Sequence, residues 1–174
     1  MNPKPLITDT YLAKDGTNYR FEYFETDSFD HLPHNECRHI HGFAFLGDKI
    51  IVVNNVTRPN SFGPVGGGVD EGESPDDALI REIKEESNMK VLYFQPIGYQ
   101  TVTDTSGEKK PYYQLRYFCV VEPFGPFESD PAGDVTEIFE VDPMDHKKYF
   151  DWGEKSQLII RRALELKAAY DRRT

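Results

Sequence analysis

The chain has 174 residues, a formal net charge of −10 and two cysteines. This length supports one substantial core but not two ordinary domains. The negative charge repels nucleic acid and anionic membranes, and no apolar stretch approaches the roughly 20 residues that span a bilayer. Neither a nucleic acid polymer nor a membrane is therefore expected as a partner. The N-terminus lacks the pattern of a secretory signal, and the low cysteine count favours a cytoplasmic location.

The first elements are predicted to be two β-hairpins. Residues 6–12 and 18–26 alternate polar and apolar positions around a turn at Asp15-Gly16, which is a strong hairpin signal. Residues 27–35 are polar and are predicted to form a loop. Residues 38–46 and 49–53 then form the second hairpin, whose last strand has the β-branched density of a strand covered on both faces.

A glycine-rich segment and a helix follow. Residues 63–68 read Gly-Pro-Val-Gly-Gly-Gly and are predicted to form an irregular loop. Ser74 is a good N-cap, Pro75 suits the first helical position and Asp77 suits a capping box. The helix is predicted to end near Ser87, because Asn88 tolerates the left-handed conformation.

The rest of the chain is predicted to add three strands and one helix. The strands cover residues 97–103, 112–121 and 136–141, and the helix covers residues 154–170. The helix places apolar side chains near one face, namely Leu158, Ile159, Ala163, Leu166 and Tyr170.

The helix at residues 75–87 carries a cluster of glutamates. Glu82, Glu85 and Glu86 are spaced i, i+3 and i+4, which places them on one face. Like charges at this spacing destabilise a helix, so a purely structural helix has little reason to gather them. A solvated acidic stripe is the alternative, but it explains neither the glycine segment nor the spacing to Glu73 and Arg81. Carboxylates so arranged suit Mg²⁺, a hard ion that shares its coordination sphere with phosphates.

The spacing resembles the box of the Nudix family, G-x5-E-x7-R-E-U-x-E-E-x-G-U, where U is an aliphatic residue. The matching positions are Gly67, Glu73, Arg81, Glu82, Ile83, Glu85, Glu86 and Met89. The one departure is Asn88, where the family has glycine. After glycine, asparagine is the residue that best tolerates a positive φ, so Asn88 can still end the helix. The change removes no catalytic group, because glycine has no side chain.

The resemblance implies an α+β Nudix fold, with a mixed β-sheet sandwiched between α-helices. Residues 1–35 would be an N-terminal hairpin and loop extension, serving as an edge element or a homodimerisation arm. Residues 36–174 would form the Nudix hydrolase domain. The implied enzyme cleaves a phosphoanhydride bond in a nucleoside triphosphate or in a nucleoside diphosphate linked to another moiety. It uses Mg²⁺, or Mn²⁺ as the alternative metal ion.

The resemblance also assigns roles to residues. Glu85 and Glu86 are the leading metal ligands, and the carbonyl of Gly66 completes the coordination sphere. Glu82 is a further ligand or the general base, while Glu73 and Arg81 form an orienting ion pair. In some relatives a later loop supplies the base, and the candidates here are Glu128, Asp134 and Glu137.

Substrate contacts are less well defined by the sequence. Gly67, the first residue of the box, and its neighbour Gly68 are candidate substrate contacts. Arg58 in the preceding loop could clamp a phosphate, as could Arg38 and Arg116. A solvated loop arginine is the ordinary interpretation. Four aromatic residues are possible stacking platforms for a base, although core packing is commoner: Phe62, Tyr112, Tyr113 and Trp152. The substrate is expected to be a small phosphorylated molecule, a nucleotide derivative.

A group of histidines precedes the box. On a regular strand Cys37, His39 and His41 would share one face, close to His31 and His34. Zinc binding is one interpretation, and ordinary strand or pocket-lining roles are favoured over it.

Two other functions remain open. A nucleotide-sensing module could keep the fold without catalysis, although such loss usually damages the carboxylates. An isoprenoid-diphosphate isomerase shares the fold but needs a cysteine and a glutamate in its pocket, for which Cys37 and Cys119 are weak candidates.

Overall fold

The computed structural model describes residues 4–55, 61–127, 131, 133 and 135–174. The described strands are β1 (Ile7–Leu12), β2 (Asn18–Glu25), β3 (Cys37–Leu46), β4 (Lys49–Asn55), β5 (Ser61–Gly68), β6 (Met89–Asp104), β7 (Tyr112–Pro123) and β8 (Val135–Val141). The helices are α1 (Pro75–Ser87) and α2 (Glu154–Asp171), with short 3-10 turns at His34–Glu36 and Pro143–Lys148. Neither helix has the length and apolarity needed to cross a membrane, among the described residues.

The eight described strands form one mixed sheet in the order β1-β2-β6-β7-β3-β5-β4-β8. All pairs are antiparallel except β3 and β7, which run parallel. The predicted N-terminal hairpin is confirmed: its turn has Gly16 at φ 85°, and Asp15 accepts a hydrogen bond from the Thr17 N–H. Because β2 pairs with β6, the hairpin extends the edge of the main sheet. The predicted boundary at residue 35 stays a prediction.

The second predicted hairpin is confirmed only at its turn. Strands β3 and β4 pair at Phe45–Ile50 and Leu46–Lys49, and then diverge. Strand β5 inserts between them and pairs with both.

The glycine-rich segment belongs to this inserted strand, so the prediction of an irregular loop was wrong. Glycine is disfavoured in strands because it adds no side chain to pack. Here close approach of the backbones requires it, since a Cβ on Gly66 would lie only 2.8 Å from the Cα of His41. The segment is therefore regular structure that tolerates no side chain at this position.

The two helices cover opposite faces of the sheet. Leu79 and Ile83 of α1 are fully buried and share a core with Ala44 and Leu115 from the sheet. Helix α2 buries its apolar side chains against the other face, in a core that contains Ile159, Ala163 and Leu166, as the sequence predicts. This is the α+β arrangement expected, a mixed sheet between helices.

The predicted common face for Cys37, His39 and His41 is wrong. The pairing of β3 with β7 shifts register between Cys37 and His39, which reverses the alternation of side chains at this point. Cys37 lies in the core beneath α1. His41 lies on the other face, where its ring contacts Trp152 with centroids 5.6 Å apart.

Candidate active site

Helix α1 has well-formed ends that hold the glutamates beside the glycine strand. The Ser74 hydroxyl accepts a hydrogen bond from the Asp77 N–H, and Pro75 occupies the first turn, as predicted. At the other end Asn88 has φ 52° and ψ 37°, the left-handed conformation predicted for it. The Asn88 amide also donates to the carbonyl oxygen of Pro126 at 2.8 Å. Both helix ends therefore follow from local sequence.

Arg81 is the centre of an ion-pair network. It donates to both carboxylate oxygens of Glu73 at 2.9 Å, which is bidentate geometry. It also contacts Glu82 at 2.8 Å and Glu85 at 3.3 Å, and donates to the carbonyl of Gly68 at 3.0 Å. A single cation thus joins the loop, the helix and the end of β5.

The glycines of β5 make room for the other carboxylates. The N–H of Gly66 donates to a carboxylate oxygen of Glu86 at 2.9 Å. A Cβ on Gly67 would overlap a carboxylate oxygen of Glu82. Any larger residue at Gly67 would therefore displace Glu82. The three glutamates predicted as site residues all lie against this strand or against Arg81.

The carboxylates differ in their electrostatic surroundings. The hydrogen bond from Arg81 holds the pKa of Glu73 below its usual value. Burial raises the pKa of Glu82, although Arg81 opposes the shift. The contact with Glu73 in turn raises the pKa of Arg81, which stays charged throughout. Glu73 is thus fixed as an anion, while Glu82 holds its charge less firmly.

A cleft of about 660 Å³ opens beside this network. It is lined by the outer side of α1 and by the residues around it, namely Glu73, Asp77, Ile80, Arg81, Lys84, Glu85, Asn88 and Pro131. Its size suits a small molecule.

The oxygen donors fit a hard divalent cation, but they do not yet surround one. Among the residues described, no three His, Cys, Asp or Glu side chains are grouped so as to hold a metal ion. Glu82 and Glu85 are held by Arg81, and Glu86 by the Gly66 N–H. Binding Mg²⁺ through all three would require side-chain rotation on a fixed backbone, which is a small change for glutamate.

Several predicted residues lie elsewhere or outside the described part of the chain. Arg58, Glu128 and Asp134 are outside the described residues. Glu137 is described and lies exposed on β8. The choice of general base among these acids and Glu82 stays a prediction.

Sequence reasoning gave too little weight to Arg116. It stood beside Arg38 and Arg58 as an ordinary arginine, whereas it is only 3% exposed in the structure. The available signal was its place in β7, two residues before Phe118, which puts it on the same strand face as the apolar residues that pack against α2.

The class of protein is an α+β enzyme fold, in which a mixed sheet lies between two helices and a glycine-rich strand packs against the helix that carries the glutamates. A model of the NUDIX domain matches residues 37–161, and the chain belongs to this family. It is a Nudix hydrolase, in a family that hydrolyses nucleotide pyrophosphate bonds and generally uses a divalent metal ion.

Solved structures with the same fold are similar at low sequence identity. The Bacillus subtilis pyrophosphohydrolase BsRppH, solved as a mutant, has a TM-score of 0.54 at 19% identity and covers 75% of each chain. A NUDIX hydrolase from Nitrosomonas europaea has a TM-score of 0.55 at 19% identity, covering 72% of this chain and 87% of its own. The NUDIX domain of Shewanella oneidensis NrtR, complexed with ADP ribose, has a TM-score of 0.55 at 14% identity, with 75% and 87% coverage. A search of curated protein sequences found no match.

Proposed function

We propose that this enzyme hydrolyses a pyrophosphate bond in a nucleoside diphosphate derivative or a nucleoside triphosphate, with Mg²⁺ as its metal ion. The observation that carries the proposal is the pairing of Glu86 with Gly66 and the fit of Glu82 against Gly67. Together these contacts place carboxylates along a bare strand, where a phosphate chain can approach the backbone.

The residues have separate roles in this proposal. Glu82, Glu85 and Glu86 would hold the metal ion, with the carbonyl of Gly66 as a further ligand. The metal ion, when bound, neutralises phosphate charge and lowers the pKa of a bound water. Arg81 keeps Glu82 and Glu85 in place through direct contacts, and Glu73 fixes the plane of the Arg81 guanidinium through its bidentate pair.

Glu82 is the general base that we favour among the described residues. Burial raises its pKa, so its carboxylate is a better proton acceptor than an exposed one. Gly67 supports this role, because only a residue without a side chain leaves space for the Glu82 carboxylate.

The isomerase alternative is poorly supported by the two cysteines. Cys119 is fully buried and lies on the α1 face, where its Sγ would be 3.4 Å from a Cβ on Gly42. Burial raises the pKa of Cys37 to about 11, so this thiol stays protonated. Neither cysteine lines the cleft beside Arg81, although Cys37 lines a neighbouring cleft together with Glu73.

The experiment is a hydrolysis assay over a panel of nucleoside diphosphate derivatives and nucleoside triphosphates. Release of a nucleoside monophosphate or of a phosphate-terminated product is expected with Mg²⁺. A chelator should abolish turnover, and either Mg²⁺ or Mn²⁺ should restore it. Turnover that survives chelation would contradict the metal-dependent mechanism. Tight nucleotide binding without turnover would favour the sensing alternative.

A further inference from the structure

A second group of charged residues lies on the opposite face of the sheet from the box. We define the cationic cluster as Arg116 of β7, Lys155 in the first turn of α2, His41 of β3 and Tyr23 of β2. Arg116 is 3% exposed, and the Lys155 side chain is 11% exposed. Buried cations are normally paired with carboxylates. This cluster is unusual in a chain whose net charge is −10.

Neutral groups hold the two cations without compensating their charge. Arg116 donates to the carbonyl of Leu115 and to the side-chain oxygen of Gln114, both at 3.1 Å. Lys155 donates to the side-chain oxygen of Gln100 at 2.6 Å, and Gln100 in turn donates to Gln114 at 3.1 Å. A chain of two amides therefore joins the cations.

The carboxylates near the cluster do not compensate its two cations. Within the described part of the chain no carboxylate forms an ion pair with Arg116, and Lys155 reaches only the exposed Asp9 at 4.0 Å. Burial lowers the pKa of Arg116 to about 10. Burial, followed by repulsion from Arg116, lowers the pKa of Lys155 to about 8. The two positive charges thus raise each other's free energy.

Three buried polar atoms of the cluster also lack hydrogen-bond partners among the described residues. They are the Arg116 Nε, the His41 Nδ1 and the Tyr23 hydroxyl. Unsatisfied buried polar groups are rare and need an explanation, such as an unseen ligand or ion. Lys155 lies in the first turn of α2, so the positive end of this 18-residue helix adjoins the cluster, although the Gly153 N–H there donates to Asp151 at 2.9 Å.

Side chains beside the buried Arg116 reach solvent, and the strand that carries His41 adjoins the glycine strand. His41, Gln114 and Trp152 around Arg116 are only partly buried. His41 pairs with Gly66, the residue that binds Glu86, and neighbouring strands lie about 5 Å apart. A Cβ on Gly68 would meet only the Arg38 carbonyl at 4.0 Å, so there is open space beside this end of β5.

We propose that the cationic cluster binds an oxyanion, a phosphate or carboxylate group that the substrate carries in addition to its pyrophosphate. This inference rests on the proposed function and narrows it to substrates with a further anionic group. Arg116 and Lys155 supply charge-assisted hydrogen bonds to this group, and the Tyr23 hydroxyl and a neutral His41 N–H are further donors. The cluster then determines specificity, while the box performs the chemistry.

The first test separates the two sites by removing metal ions. With a chelator present the glutamates repel phosphate, and phosphate excluded from the surface stabilises any protein without saturating. The diagnostic response is therefore a saturable one that depends on Arg116 and Lys155. A saturable rise in melting temperature with phosphate is expected for the wild type and for Glu86→Gln. Arg116→Met and Lys155→Met should lose it, and Arg20→Gln, a variant of an exposed arginine on β2, should keep it. Acetate and citrate in place of phosphate compare the two classes of oxyanion. A phosphate response that is absent, or that both cluster variants retain, overturns the proposal.

The second test compares substrates that differ by a single phosphate monoester, such as NADPH with NADH, or coenzyme A with its dephosphorylated form. The wild type should prefer the phosphorylated member by about ten- to hundredfold in kcat/KM, the value of one or two charge-assisted hydrogen bonds. Lys155→Met should reduce that preference, whereas the control Arg20→Gln should leave both the preference and the turnover of each member unchanged. Turnover with no such preference contradicts a substrate anion at the cluster. Absence of all turnover contradicts the proposed function instead, and the metal-free phosphate test still decides whether the cluster binds anions.

Discussion

Two arginines lie on opposite faces of the sheet, and their surroundings are opposite in charge. Arg81, on the α1 face, contacts Glu73, Glu82 and Glu85, and its pKa is raised. Arg116, on the α2 face, donates only to neutral oxygens and lies over the Trp152 ring, and burial lowers its pKa to about 10. Arg81 is surrounded by more negative charge than it neutralises, whereas Arg116 has no carboxylate partner among the described residues.

The comparison shows that a buried charge can organise a site in two ways. Around Arg81 the protein supplies the anions, so the network holds together without a ligand and leaves oxygen donors for a metal ion. Around Arg116 the described residues supply no anion, and we propose that a ligand supplies it. The α1 face, with the box glutamates, is here called the acidic face and would bind a cation. The α2 face, with the cationic cluster, is called the cationic face and would bind an anion. A substrate with its metal ion supplies both.

Removing one charge from the acidic face should have the largest effect. Glu86→Gln keeps the side-chain shape and the contact with the Gly66 N–H, but lowers the charge available to Mg²⁺. We expect turnover to fall roughly a hundred- to thousandfold. The metal-free variant should melt at or above the wild type, because like charges repel. It should also lose most of the Mg²⁺-induced stabilisation, about 2.7 kcal/mol at a hundred times the dissociation constant.

Thermal melts with and without Mg²⁺, together with one hydrolysis assay, test this expectation. Wild-type turnover by Glu86→Gln would show that the site is wrongly assigned. A surface stripe of acids would leave melting, metal response and rate all unchanged.

A pH titration should detect the charge conflict on the cationic face. The pKa of Lys155 is about 8, compared with 10.5 for an ordinary lysine. Between these values the unfolded chain keeps a proton that the folded protein releases, so stability rises with pH in this window. Below pH 8 both states are protonated and the folded state carries the full cost, on the order of 3 kcal/mol.

The measurement is the free energy of unfolding of wild type and Lys155→Met between pH 7 and 10.5. The difference between the two should shrink as pH rises, since the variant lacks the titrating group. The charged neighbours are Arg116, which favours the shift, and Asp9, which opposes it. Arg116→Met should therefore reduce the pH dependence. A difference that does not vary with pH would mean that Lys155 is not perturbed.

Matched substitutions of the two arginines should change stability in opposite directions. Arg81→Met leaves Glu73, Glu82 and Glu85 without a cation, and should destabilise the metal-free protein by roughly 1–3 kcal/mol. Arg116→Met removes a buried charge that has no counter-ion, and should be neutral or stabilising by up to about 2 kcal/mol.

Chemical denaturation in phosphate-free buffer with a chelator tests this contrast. Added Mg²⁺ should partly restore the stability of Arg81→Met, because the metal ion replaces the lost positive charge. If Arg116→Met lowers the free energy of unfolding more than Arg81→Met does, the uncompensated charge of Arg116 does not destabilise the folded protein.

The sequence predicted local features well and long-range packing poorly. Ser74, Pro75 and Asn88 define the ends of α1 through hydrogen bonds and backbone preferences that act within a few residues. The strand β5 was missed because its glycines have low strand propensity. The reason for them, the close approach to β3 at Gly66, appears only in three dimensions.

The same limit explains the errors around the histidines and Arg116. One bulge after Cys37 reversed the expected faces of β3, and alternation alone does not reveal a bulge. The burial of Arg116 depends on Trp152, which lies 36 residues further along the chain and has its ring 5.5 Å from the guanidinium. The roles of the box residues came from their spacing, whereas the environment of each charge depended on the fold.

The smallest effect concerns the end of helix α1, which holds the acidic face in place. Asn88 has a positive φ of 52°, where asparagine is tolerated and β-branched residues are strained. Its side chain also donates to the Pro126 carbonyl, a contact that glycine would lose. We therefore expect Asn88→Gly to change stability by less than about 1 kcal/mol, because better backbone compatibility offsets the lost hydrogen bond. Asn88→Val should cost roughly 1–3 kcal/mol through strain at the same φ. Denaturation of both variants, with turnover at saturating Mg²⁺, measures this difference. Equal stability of the two would mean that the left-handed end does not hold α1, whereas loss of turnover in Asn88→Gly would give the asparagine side chain a role in the site.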